Sequence, residues 1–164
     1  MSSSTPEWTA AVVTVSDRSS RGERADLGGP AVVAALEKRH FRIVAREVIP
    51  DDETAIRDTL VRLTSQALFV VTTGGTGVAP RDVTPEATRA VCDRLLEGVA
   101  ERMRAEGLKS TKFAVLSRAV CGVRGQSVIL NLPGKPSGAV ESLAAVIDLI
   151  PHVLELLRGN TRHD

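Results

Sequence analysis

"VVTTGGTGVAPRDVTPEAT", residues 70–88, runs from β-branched residues through a glycine-rich turn to a helix start. With the residues before it, "ALFVVTT" (67–73) is continuously apolar, the pattern of a strand covered on both faces. Gly74, Gly75 and Gly77 lack a Cβ, so the backbone there can adopt positive φ and turn its amides toward an anion. Thr72, Thr73 and Thr76 add hydroxyls, and Thr84-Pro85 opens the next element. Two phosphate-binding signatures are absent: no Lys follows the glycines as a P-loop requires, and GGTG lacks the third glycine of a dinucleotide fingerprint. Taken alone, GGTG serves a simple tight turn equally well.

Outward from this loop the chain alternates. "WTAAVVTVS" (8–16) and "RIVAREVIP" (42–50) read as strands. "PAVVAALEKRH" (30–40) reads as a helix with Pro30 at its first position, and "DDETAIRDTLVRLTSQ" (51–66) as a helix capped by Asp52, with Ile56, Leu60 and Leu63 on one face. "DRSSRGERADLGG" (17–29) reads as a charged loop. Residues 84–107 read as one helix with a break at Gly98. "KFAVLSRAV" (112–120) and "QSVILNLP" (126–133) read as strands, the second ending in a Leu-Pro-Gly turn. From Ser137, the apolar series Val140, Leu143, Ile147, Ile150, Leu154 and Leu157 predicts a long helix that Pro151 kinks or divides. Strand, helix, strand, helix, strand predicts an α/β domain on a parallel sheet. The chain is expected to form one domain over 1–164, with 1–7 and 159–164 as flexible tails.

At 164 residues the chain buries roughly two-thirds of its unfolded surface. Its 43% hydrophobic and 25% charged residues exclude a disordered protein. One Trp, three Phe and no Tyr leave the core to Val, Leu, Ile and Ala, and supply no base-stacking surface. A net charge of +1 gives no electrostatic footprint for nucleic acid. Cys92 and Cys121 lack CxxC spacing and read as buried thiols of a reducing compartment; His40, His152 and His163 lack metal-ligand spacing. No run is long and apolar enough to span a membrane, and "MSSSTPEWT" has no signal-peptide pattern, so the expected location is cytoplasmic.

In open α/β sheets ligands collect at the carboxyl ends of strands. Here those ends are "VSD" (15–17), "VIPDD" (48–52) and "TTGGTG" (72–77). Neighbouring strands lie about 5 Å apart, which would bring Asp51 and Asp82 to one cavity beside the glycine backbone. A Mg²⁺ ion between them is the expectation, because Mg²⁺ takes one or two carboxylates together with phosphate oxygens and waters. The alternative is structural, with Asp51 and Asp52 capping a helix and Asp82 paired with Arg81.

Taken together, "VTVSDRSSRGERADLGGP", "VIPDD", "TTGGTGVAPRDVTPEAT" and "LSRAVCGVRGQSVILNLPGKPSGAVESL" resemble the molybdopterin adenylyltransferases of molybdenum cofactor biosynthesis, in the family's order from about residue 10 to residue 160. The same fold forms the G domain of gephyrin and its plant counterpart. The resemblance implies a three-layer α/β/α sandwich with a mostly parallel central sheet, a homotrimer, and transfer of AMP from Mg-ATP to the terminal phosphate of molybdopterin with release of pyrophosphate. It also implies possible hand-over of the product to the molybdate-inserting protein. The positions matching the family's essential acids and Mg²⁺ site are Asp51 and Asp82. Those matching its nucleotide- and pterin-binding segments are Thr73, Gly74, Gly75, Thr76, Gly77, Ser117, Leu132, Pro133 and Gly134, with Ser16 and Asp17 on a ligand-contacting edge. Arg18, Arg21, Arg24 and Arg118 are candidates for holding phosphates, or else solvated surface charges. Two other readings remain: a molybdopterin-binding scaffold without turnover, and a nucleotide-processing relative acting on another substrate.

Overall fold

A computed structural model describes residues 6–161. The outermost parts of both expected tails, with His163, lie outside the described residues. In chain order the elements are β1 (Trp8–Val15), α1 (Asp17–Ser20), α2 (Gly28–Lys38), β2 (Phe41–Ile49), α3 (Glu53–Thr64), β3 (Phe69–Thr73), α4 (Thr84–Val91), β4 (Arg94–Leu95), α5 (Glu97–Gly107), β5 (Cys121–Arg124), β6 (Ser127–Leu132), α6 (Pro136–Val146) and α7 (Ile150–Leu157). The strands form one sheet in the order β2-β1-β3-β6-β5-β4. β2, β1, β3 and β6 are parallel, while β5 and β4 are added antiparallel at one edge.

Because strand side chains alternate between faces, each central strand feeds two cores. Ala10 and Val12 of β1 and Phe69 and Val71 of β3 join Val32, Leu36, Met103, Leu143, Ile150 and Leu154 on the side of α2, α5, α6 and α7. Ala11, Val13 and Val70 join Ile56, Leu60, Leu63, Ala87 and Val91 on the side of α3 and α4. The result is a three-layer α/β/α sandwich whose middle layer is mostly parallel. No helix among the described residues is long and apolar enough to cross a membrane.

Several boundaries depart from expectation, each for a local reason. The 17–29 stretch is not all loop: Ser16 caps α1 by accepting from the Ser19 amide, and α2 starts at Gly28, ahead of Pro30. Residues 84–107 divide not at Gly98 but at Cys92–Leu96, where the Asp93 amide donates to Val123 O (2.7 Å) and the Leu96 amide to Cys121 O (2.8 Å), drawing the chain into the sheet as β4. Gly98 lies exposed in the first turn of α5. The strand expected over 112–120 begins only at Cys121. Residues Lys112–Leu116 form a 3-10 helix capped by Thr111, leaving Phe113, Val115 and Leu116 exposed. Pro151 does divide the terminal helix, with a 3-10 turn at Ile147–Leu149 between α6 and α7. Burial pushes the Cys121 thiol up to about 12 and that of the half-buried Cys92 up to about 11.

One polar side chain crosses the sheet's interior. Asn131 of β6 is fully buried; its Nδ2 donates to Thr72 Oγ1 (3.0 Å) and Thr88 Oγ1 (2.9 Å), and its Oδ1 accepts from the Val120 amide (3.1 Å). It thereby ties β3, α4 and the approach to β5 to the strand that ends beside the glycine loop. Asn131→Leu keeps the side chain's branched outline, at somewhat greater bulk, but leaves the Val120 amide unpaired. The expected loss is about 2–3 kcal/mol of unfolding free energy, measured by urea denaturation.

Candidate functional site

The sheet has a switch point at the carboxyl ends of β1 and β3. Chain leaving β1 reaches α2 on one face, whereas chain leaving the adjacent β3 reaches α4 on the other. Divergence of the two connections opens a crevice between strand ends, the usual ligand position in such sheets.

The glycine loop lies in this crevice. Gly74 and Gly75 have φ of 104° and 68°, the left-handed region that favours glycine. A Cβ on Gly74 would lie 2.2 Å from Val15 O, and one on Gly75 would lie 2.3 Å from Thr84 Oγ1 and 3.0 Å from Asp51 Oδ1. Thr84 secures the turn, donating its hydroxyl to Gly74 O (3.0 Å) and its amide to Gly75 O (3.2 Å). Arg118 holds the other side. Its amide donates to Thr76 O (2.9 Å), its Nε to Gly77 O (2.8 Å) and its Nη2 to Asp82 O (2.7 Å), while Nη1 pairs with Glu86. The guanidinium is thus committed to loop carbonyls and a carboxylate, in place of the phosphate contact considered from sequence.

Asp51 and Asp82 line the same cavity, of about 350 Å³, with Ser16, Arg24, Thr73, Gly74 and Gly134. Asp51 exchanges hydrogen bonds with Asp17: the Asp17 amide donates to Asp51 Oδ2 (2.9 Å), and the Asp51 amide to Asp17 Oδ1 (3.0 Å). Arg81 pairs with Asp17 through Nε and Nη2, both at 2.9 Å, and not with Asp82. Asp82 Oδ2 accepts from the Ala79 amide (3.0 Å). Asp52 is the α3 cap, accepting from the Ala55 amide (2.8 Å), so helix capping does not occupy Asp51. Desolvation raises the Asp51 carboxyl pKa above its ordinary value; the charges of Asp17 and Asp82 add to this, while the Asp17 amide and Arg81 oppose it. Asp17 shifts the other way, chiefly through the hydrogen bond from Arg81.

A second cavity, of about 570 Å³, opens on the other side of the loop, lined by Thr76, Gly77, Ser117, Pro133 and the more apolar Val78, Met103 and Phe113. Gly75, Asp82, Gly134 and Lys135 line both cavities. Leu132 lines neither: its side chain is fully buried, and its carbonyl accepts from the Gly74 amide (3.0 Å), so its part is to seat the loop. Asp17 also faces protein partners instead of either cavity. Among the described arginines, only Arg24 reaches the first cavity; Arg21 pairs with Glu23 (3.0 Å), and Arg18 is exposed and lines neither cavity. Sequence reasoning missed Lys135. Its signal was present, as a lone cation directly after the strand-ending "NLPG".

The donor set suits Mg²⁺. Asp51 Oδ1 and Asp82 Oδ1 have no hydrogen-bond partner among the described residues, and no group of three or more His, Cys, Asp or Glu there could cage a metal. Two carboxylates with room for phosphate and water match Mg²⁺ better than the all-protein sets of structural zinc.

Asp51→Asn gives a stability test of the site's electrostatics. A carboxyl whose folded pKa is raised costs stability when ionised; that cost is full above the folded pKa and vanishes as pH falls below the unfolded value. The ligand-free Asn variant should therefore melt higher than the parent at pH 7, with the difference shrinking toward pH 4 in thermal scans.

Residues 11–152 match the family described as a probable molybdopterin binding domain. The chain is 42% identical over 158 residues to the molybdopterin adenylyltransferase of Helicobacter pylori strain J99, covering 91% of this chain and 87% of that protein. It is 34% identical over 167 residues to Dictyostelium discoideum gephyrin, covering 95% of this chain and 23% of that protein. The crystal structure of the molybdopterin biosynthesis enzyme MoaB from Thermus thermophilus aligns with a TM-score of 0.87 at 46% identity, over 93% of this chain and 97% of that one. The chain belongs to the molybdopterin adenylyltransferase family of molybdenum cofactor biosynthesis.

Proposed function

We propose that this protein is a transferase that moves AMP from Mg-ATP to the terminal phosphate of molybdopterin and releases pyrophosphate. The observation that carries this reading is the wall shared by two cavities: Gly75, Asp82, Gly134 and Lys135 border both, so two bound reactants would meet there.

The attacking group is a phosphate oxygen, already anionic near neutral pH, so no strong general base is required. It forms a bond to the α-phosphorus as the bond from that phosphorus to the bridging oxygen breaks, and pyrophosphate departs with the electron pair. The difficulty is bringing one anion onto another in line. Lys135 offsets charge at the junction. The amides of Gly75, Thr76 and Gly77, which donate to no acceptor among the described residues, are available to phosphate oxygens. Asp51 and Asp82 would hold Mg²⁺, which supplies charge neutralisation and polarises the phosphoryl oxygen. We place the reaction in the cytoplasm, with a homotrimer as the working assembly and the molybdate-inserting protein as recipient of the product.

The test is incubation with molybdopterin and ATP labelled at the α-phosphate. AMP-pterin and pyrophosphate should form in equal amounts. Asp82→Asn should remain folded and bind pterin while slowing transfer at least about a hundredfold. Binding of both reactants without product would make the chain a binding module; wild-type turnover by Asp82→Asn would remove the metal assignment.

A further inference from the structure

We propose that Asp17 and Arg81 form a latch that fixes the two acid-bearing loops against each other, so that both are positioning residues and neither contacts ligand. This inference rests on the reading of Asp51 and Asp82 as the Mg²⁺ pair.

Asp17 stands where β1 ends and touches both loops. Through its amide and Oδ1 it makes the reciprocal pair with Asp51 at 2.9 and 3.0 Å. Through both carboxylate oxygens it receives Arg81, the residue before Asp82, at 2.9 Å each. Residues 79–82 are themselves a closed turn: the Asp82 amide donates to Ala79 O (2.9 Å), and the Ala79 amide to Asp82 Oδ2 (3.0 Å). Anchoring Arg81 therefore anchors the Asp82 carboxylate as one unit with its turn. Asp17 thus links two positions that lie 34 and 64 residues further along the chain.

Neither latch residue lines either cavity, although Ser16, Asp51 and Asp82 do. The Arg81 side chain is 67% exposed and that of Asp17 21%. An ion pair so open to water adds little to global stability. What the two-pronged guanidinium–carboxylate contact provides is orientation, which a lysine at the same place would not reproduce.

The experiment compares Arg81→Gln, Arg81→Lys and Asp17→Asn with the parent by three measurements. They are amide hydrogen exchange of residues 76–82 in the ligand-free protein, binding of Mn²⁺ alone followed by water-proton relaxation, and the thermal midpoint. Expected are faster exchange of the Ala79 and Asp82 amides, Mn²⁺ binding weakened about 10- to 100-fold, and a nearly unchanged midpoint, in all three variants. Parent-like exchange in Arg81→Gln would overturn the latch, as would weakened Mn²⁺ binding without faster exchange, which would mark a direct ligand contact. Full retention of both properties in Arg81→Lys would overturn the orientational role. Asp51→Asn and Asp82→Asn serve as separate controls. If they bind Mn²⁺ like the parent, the metal reading fails, and the latch is then decided by the exchange data alone.

Discussion

A methyl group on Gly74 would lie 2.2 Å from the carbonyl oxygen of Val15, and that closeness governs the rest of the site. It arises because β1 and β3 are adjacent and parallel while their connections leave for opposite faces. The chain leaving β3 must turn within the width of one strand spacing, and only a backbone without a Cβ fits there. Once Gly74 is seated on Leu132 O and Gly75 is bonded through its carbonyl to Thr84, the following residues have few places to go. Asp82 is delivered to the wall facing the end of β2, where Asp51 sits.

Electrostatics oppose this arrangement. The charges of Asp17 and Asp82 both bear on Asp51, and desolvation there is the larger penalty. The fold tolerates the crowding in two ways. One is amide donation: the Asp17 and Asp51 amides each hold the other's carboxylate, and the Ala79 amide holds Asp82. The other is the placement of arginines on groups other than ligand, Arg81 on Asp17 and Arg118 on the loop carbonyls. Beneath them, Asn131 fixes the strand that ends next to the loop. The cost left at Asp51 is the kind a cation would relieve.

Much of this was legible in the sequence because local chemistry and tertiary context agree. The β-branched runs at 8–15 and 69–73 are strands in isolation and in the sheet, Asp52 caps α3, and Pro151 divides the last helix. The glycine loop was legible because a run of glycines after an apolar strand has few uses. The features that were not legible depend on distant partners. The break at 92–96 exists because β5 offers backbone acceptors from another part of the chain. Residues 112–116 carry a strand's composition, yet Thr111 caps a 3-10 turn there and Arg104 takes the carbonyls of Ser117 and Ala119. The partnership of Arg81 with Asp17 instead of its neighbour Asp82 likewise follows from which loops meet at the crevice. No local pattern records that.

The common boundary of the two cavities has a kinetic consequence. A molecule that covalently joins the contents of both is held at two places at once, and each half keeps the other at high effective concentration. Such a molecule departs far more slowly than either part alone, so escape of the joined product, not bond making, would set the pace of repeated cycles. A recipient able to grasp one half while the other is still seated would then quicken the whole cycle without touching a reacting atom.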